Sequence, residues 1–175
     1  QAASGYTPVQ ADPESGDRSL REACVERMLQ DLTGCEAATV VNNNAAATML
    51  MLNALAAGKE VPISRGQLIE IGGSFRMTEV MAQSGAILRE VGTTNITRLD
   101  DYEAAIGPAT GALLHVHTSN YRVRGFSSTP TIAEIVALGK GHGLPVVDDL
   151  GSGAIVPLSD WGVSDEPLIK DSLAA

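Results

Sequence analysis

Short β-rich runs alternate with helix-compatible stretches along this chain, and that alternation restricts the fold more than any other feature. The runs lie at Ala38–Val41, Val61–Ser64, Ala86–Val91, Ala112–Val116 and Leu144–Val147. Between them, the segment from Arg18 to Leu32 places Leu20, Cys24, Met28 and Leu32 at four-residue steps, with Val25 and Leu29 beside them and Gly34 as a stop. Ala45 to Ala57 is apolar nearly all round and ends at Gly58, which predicts a central buried helix. Phe75–Ser84, Leu99–Ile106 and Thr131–His142 fit further helices. Strand–helix alternation with short connections predicts an α/β fold, a mostly parallel sheet flanked by helices. Residues 1–17, which hold Gly5, Pro8, Pro13 and Gly16, are expected to form an irregular arm.

Several function classes lose ground on composition. The formal charge of −9 argues against this segment being the main nucleic-acid grip, which needs clustered Lys and Arg. Two Phe, three Tyr and one Trp are too few for a base-stacking platform. The longest apolar tract, Ala45–Ala57, is broken by Thr48 and Asn53 and is shorter than the roughly 20 residues that span a bilayer. Gln1–Gly16 is polar, shows no secretory pattern and lacks an initiator Met, so a cytoplasmic fragment is expected. Cys24 and Cys35 form no CxxC pair and are expected as buried free thiols, and no His and carboxylate constellation suggests a metal.

Parallel α/β sheets bind ligands at the carboxyl ends of their strands. Here almost every run is followed at once by polar residues: Asn42-Asn43-Asn44, Ser64-Arg65, Thr93-Thr94-Asn95, His117-Thr118-Ser119-Asn120 and Asp148-Asp149. Asn44 suits an N-cap, and the helix start beside Ala45 and Ala46 could cradle a phosphate or simply face solvent. No GxxxxGK[ST] or well-placed GxGxxG is present, which disfavours nucleotide loops. A carboxylate at the tip of a buried strand, Asp148, could hold a protonated pyridine nitrogen; a metal pair and a loop cap are the competing readings. Asn120 lies 28 residues earlier, one strand–helix–strand step away, and could offer an amide to the same ring. His117 could stack nearby, while His115 or His117 could equally be a core histidine. Arg65, Arg76, Arg122 and Arg124 suit anion binding, or else are merely solvated.

The runs Leu32-Thr33-Gly34, Val40 to Ala47, Ser64-Arg65-Gly66, Glu70 to Arg76, Met81 to Gly85, Glu90 to Asn95, His117 to Arg122 and Asp148 to Gly153 together resemble bacterial selenocysteine synthase, the L-seryl-tRNA(Sec) selenium transferase family. The resemblance implies part of the large domain of a fold-type-I pyridoxal 5'-phosphate enzyme, residues 18–175, truncated before the Schiff-base lysine. It places Asn43, Asn44 and Ala45 at the cofactor phosphate, Asp148 at the pyridine nitrogen and Asn120 near the ring hydroxyl. It counts His117 and Ser152 among the cofactor contacts. Arg65 is expected to face the reacting centre or the selenium donor. The implied reaction converts seryl-tRNA(Sec) into selenocysteinyl-tRNA(Sec): the α-proton and β-hydroxyl leave, and selenium from selenophosphate adds. A homo-oligomer without membrane attachment is implied as well.

Two departures stand out. The chain's lysines are Lys59, Lys140 and Lys170, and none matches the family's cofactor lysine. Asp17 to Arg21 departs from the basic, Gly-containing stretch expected there. A pyridoxal-phosphate lyase acting on a small amino acid or amino sugar phosphate, and a non-catalytic α/β binding module, are the alternatives.

Overall fold

The computed structural model describes Gly5 and residues 10–12, 14–18, 22–73, 75–163 and 166–175. The chain divides into two compact units, Gln1–Val40 and Val41–Ala175. In the first, helix α1 (Ala23–Thr33) ends where Gly34, at φ 80°, returns its N–H to the Gln30 carbonyl. This start is later than the expected Arg18, because Arg18 instead pairs with Ala11 in an isolated antiparallel bridge. The expected helical positions Ser19, Leu20 and Arg21 lie outside the described residues. Cys24 is exposed rather than buried as expected, and Cys35 is partly buried. The expected strand at Ala38–Val41 does not form. Its backbone finds no ladder; the Ala38 N–H donates to the Glu26 carboxylate at 3.4 Å instead.

The second unit carries the α/β framework. Helix α2 (Asn44–Ala56) leads into β1 (Glu60–Ser64), and a 3₁₀ turn (Arg65–Gln67) follows. A short antiparallel pair, β2 (Glu70–Ile71) with β3 (Phe75–Arg76), precedes α3 (Met77–Ser84) and β4 (Ile87–Val91). Then come α4 (Leu99–Glu103), β5 (Leu113–Val116), α5 (Ile132–His142), β6 (Val146–Asp149) and α6 (Ile169–Ala174). β1 runs parallel to β4, and β5 parallel to β6. A parallel bridge between Glu60 and Thr110, with the Gly111 N–H on the Glu60 carbonyl at 2.9 Å, sets β5 alongside β1. All four strands therefore point the same way, and the polar segments that follow them emerge at one rim.

The pleat divides the side chains between two faces. Leu114, Val116 and Val147 pack with Leu52 and Ala56 of α2 and Met77 and Met81 of α3. Leu113 and Val146 pack on the opposite side with Tyr102 of α4 and Ile135 of α5. The Tyr102 hydroxyl accepts from the Ser64 N–H and donates to the Leu114 carbonyl, and burial pushes its ionisation well above the usual tyrosine value.

Three expectations shift in ways that bear on the site. First, α2 is not buried all round: Thr48, Leu52 and Ala56 are buried, while Leu50, Met51 and Leu55 are exposed. Only the stripe at four-residue steps faces the sheet. Second, the N-cap of α2 is Asn43 and not Asn44. Asn43 is extended (φ −165°, ψ 171°), and its side chain accepts from the Ala46 N–H at 2.9 Å. Third, the last strand is Val146–Asp149 rather than Leu144–Val147, so both aspartates belong to the strand itself. Elsewhere, Phe75 and Arg76 form β3 rather than the first turn of α3, and α4 ends at Glu103 rather than Ile106. α5 is capped as its sequence suggests, by reciprocal bonds between Thr131 and Glu134.

Candidate functional site

Because Asp148 and Asp149 are consecutive in β6, their side chains leave the strand on opposite faces. Asp149 turns toward α2 and is 4% exposed. Its Oδ1 accepts from Asn44 Nδ2 at 2.9 Å and from the Gly151 N–H at 2.9 Å. Its Oδ2 accepts from the Thr48 hydroxyl at 3.0 Å. Asp149 belongs to none of the ion pairs formed among the described residues. A buried carboxylate held only by neutral donors is an unusual arrangement, since buried charge is ordinarily paired.

The surroundings come from three elements. Asn44 opens α2 immediately after the extended cap residue, so the positive end of the helix lies beside the carboxylate. His117, just past β5, donates its backbone N–H to the Asp149 carbonyl at 2.8 Å. Gly151 sits at φ 66°, a left-handed conformation that favours glycine, and this turn aims its N–H back at Asp149.

Asp148 has a different environment. His115 Nδ1 lies 2.7 Å from its Oδ1, and the Ser172 hydroxyl of α6 donates to its Oδ2. Burial pushes the Asp148 carboxyl up, but the bonds from His115 and Ser172 and the charges of His115 and His117 outweigh it. The group stays below the usual aspartate range. His115 and Asp148 are direct partners in the β5–β6 register, so this is a cross-strand pair.

The structure thus joins Asn44 and the backbone of His117 to Asp149, and it does not bring Asn44, Asn120 and Asp148 around one point. Asn120 is exposed and donates to the Glu70 carbonyl at 3.0 Å, while the Tyr121 hydroxyl donates to the Gly66 carbonyl. Together they clip the segment after β5 onto the 3₁₀ turn and β2. Gly66 is required there, because a Cβ would meet the Thr94 carbonyl at 2.7 Å. Ser152 bonds Glu166 at 3.0 Å, and Glu166 also lies 3.9 Å from His117 Nε2. Arg65 turns to Glu90 at 2.8 Å and to the Gly92 carbonyl, in an exposed pair. Arg76 pairs with Glu70 and Glu79 at the surface. A cavity of about 480 Å³ is bordered by Gly66, Gln67, His115, His117, Thr118 and Arg122. Neither Asn44 nor Asp149 lines it. Volume measures room rather than chemistry, and the donor set around Asp149 is the more specific feature.

Asp149 and Thr48 are the residues that sequence reasoning missed. A signal existed for Thr48: it is a polar interruption in an apolar helix, one turn after Asn44 and on the same face. For Asp149 the signal was ambiguous, since either aspartate could end the strand. The Asp149 cluster suits a ligand with a cationic heterocyclic nitrogen for the carboxylate and an anionic group for the helix start. Among the described residues, no three or more His, Cys, Asp or Glu gather to hold a metal, and no helix is long and apolar enough to cross a membrane.

Comparison with known proteins agrees with the resemblance. A Geobacter metallireducens protein named L-seryl-tRNA(Sec) selenium transferase is 54% identical over 175 residues, which is all of this chain and 38% of that protein. The chain therefore spans well under half the length of this curated relative. Among solved structures, a D-glucosaminate-6-phosphate ammonia-lyase superposes with a TM-score of 0.64 at 22% identity, over 79% of this chain and 44% of that one. A Campylobacter jejuni protein described as an O-acetylhomoserine (thiol)-lyase, solved with N'-pyridoxyl-lysine-5'-monophosphate, gives 0.53 at 22% identity, over 71% of this chain and 29% of that one. These likenesses show the fold, an α/β arrangement of parallel strands flanked by helices. The family model described as L-seryl-tRNA selenium transferase matches residues 1–175, and the chain belongs to that family.

Proposed function

We propose that the whole protein of which this chain is part converts seryl-tRNA(Sec) to selenocysteinyl-tRNA(Sec), with pyridoxal 5'-phosphate as cofactor and selenophosphate as selenium donor. The observation that carries this reading is the family match along the entire chain, at 54% identity to a protein of that name. The alternative of a lyase for small substrates rests on fold likeness at 22% identity, which is weaker support. The protein is proposed to be a cytoplasmic homo-oligomer, and the lysine that binds the cofactor is proposed to lie outside these residues.

When bound, the cofactor supplies an electron sink for the carbanion left at the seryl α-carbon. The chain's own residues would hold it in place. Asp149, rather than Asp148, would hold the ring nitrogen: its carboxylate is buried and, among the described residues, has no cationic partner. The start of α2, at Asn43, Asn44 and Ala45, offers N–H groups and the positive helix end to the phosphate. His117, anchored beside Asp149 through its backbone, would flank the ring, and Glu166 accepts from Ser152 and lies 3.9 Å from His117 Nε2. Asn120 would have to leave the Glu70 carbonyl to reach the ring hydroxyl. Arg65, held by Glu90, would have to exchange that partner to meet an anionic selenium donor.

The test is turnover by the whole protein of charged seryl-tRNA(Sec) with selenophosphate, set against turnover of free serine and small amino sugar phosphates. Formation of selenocysteinyl-tRNA(Sec) is expected. Turnover of the small substrates alone would replace this reading with the lyase.

A further inference from the structure

We infer that Thr48 is a positioning residue for Asp149, fixing which carboxylate oxygen is offered to the cofactor. The inference rests on the proposed contact between Asp149 and the ring nitrogen. Thr48 is fully buried, and it stands one helical turn beyond Asn44 on the face of α2 that packs against β6. A buried threonine inside a helix ordinarily turns its hydroxyl back to the carbonyl four residues earlier. This one instead bonds Asp149 Oδ2 at 3.0 Å.

The two oxygens of Asp149 are unequally used. Oδ1 accepts two hydrogen bonds, from Asn44 and from the Gly151 N–H, which occupy its two lone-pair directions. Oδ2 accepts one, from Thr48, and retains a second acceptor direction. The oxygen offered to a ring N–H is therefore Oδ2, and Thr48 is the group that orients it. With Thr48 in place, Oδ2 would be held toward the ring nitrogen. Without it, Oδ2 loses its one hydrogen bond among the described residues and the carboxylate is less firmly oriented.

The experiment uses the whole protein loaded with ¹⁵N-labelled pyridoxal 5'-phosphate and compares wild type, Thr48→Val, Thr48→Ser and Asp149→Asn. The readouts are the ring-nitrogen chemical shift, the cofactor dissociation constant, and kcat and KM for seryl-tRNA(Sec). Thr48→Val is expected to move the ring-nitrogen shift as the contact from Oδ2 loosens, and to weaken cofactor binding about 10- to 150-fold, the scale of one hydrogen bond to a charged group. It is expected to lower kcat while leaving KM near wild type. Thr48→Ser, which keeps the hydroxyl, is expected to restore all three. If Thr48→Val fails to fold, Thr48→Ala against Thr48→Ser makes the same comparison, because those two variants differ only by the hydroxyl. An unchanged shift and affinity in the hydroxyl-free variants, or a Thr48→Ser variant that behaves like them, overturns the inference. If Asp149→Asn itself leaves the shift and cofactor affinity unchanged, the underlying assignment of Asp149 is what has failed.

Discussion

Asp148 and Asp149 are neighbours of identical chemistry, and the two faces of β6 give them opposite employment. On the α2 face, Asp149 is held by an amide, a hydroxyl and a backbone N–H, and it has no cationic partner among the described residues. On the other face, Asp148 meets a histidine across the strand pair and a serine from α6. A carboxylate already satisfied by an imidazole is part of the scaffold. One that is buried, oriented and without a countercharge among the described residues suits the cationic ligand proposed for it. One step along a pleated strand separates the two conditions.

The widest separation between the faces should appear on charge removal. Asp149→Asn is expected to lower turnover of the whole protein by about 100-fold or more, the scale of losing a buried charge partner. Asp148→Asn is expected to change turnover by less than about threefold. If Asp148→Asn proves the more damaging in a steady-state assay, the roles of the two faces are reversed. Asp148→Asn should instead cost about 1 kcal/mol of stability, as a half-buried hydrogen-bonded pair is broken, and urea unfolding at neutral pH would measure that loss.

A pH titration sharpens the same contrast. The Asp148 carboxyl is held below its ordinary value of 3.8, so its stabilising contribution is complete above that pH and is lost as pH falls through the lower folded-state value. Unfolding midpoints followed downward from about pH 5 should fall less steeply in Asp148→Asn than in wild type. An unchanged slope would mean that the pair with His115 contributes nothing. The smallest effect is expected at Gly151. Alanine at φ 66° costs about 1 kcal/mol in the left-handed region, and it loosens the N–H that supports Asp149. Gly151→Ala should therefore lower the melting temperature slightly and weaken cofactor binding more than Asp148→Asn does. The reverse order would remove Gly151 from the site.

Much of this protein was legible from local pattern. Strand–helix alternation gave the parallel α/β class, and five of the helices and four of the strands lie near where apolar periodicity places them. The start of α2, with its asparagines and small residues, was recognisable as a capped helix start, and the motif runs were sufficient to name the family. Those features are short-range: helix caps, apolar steps and polar strand ends are written within a few residues of one another. The expected strand at Ala38–Val41 shows the limit, because a β-rich run becomes a strand only when another strand pairs with it. The choice between the aspartates was not local either. The register of β6 against β5, Val146 opposite Leu113 and Asp149 opposite Val116, extends the strand two residues beyond its apolar run and sends Asp148 and Asp149 to different faces. The same packing turns Thr48 toward the acid and draws Asn120 away to Glu70. Sequence determined which segments could meet at the rim; long-range pairing alone decided which side chains do, because the direction of a side chain on a strand is set by its partner strand and not by its neighbours in the chain.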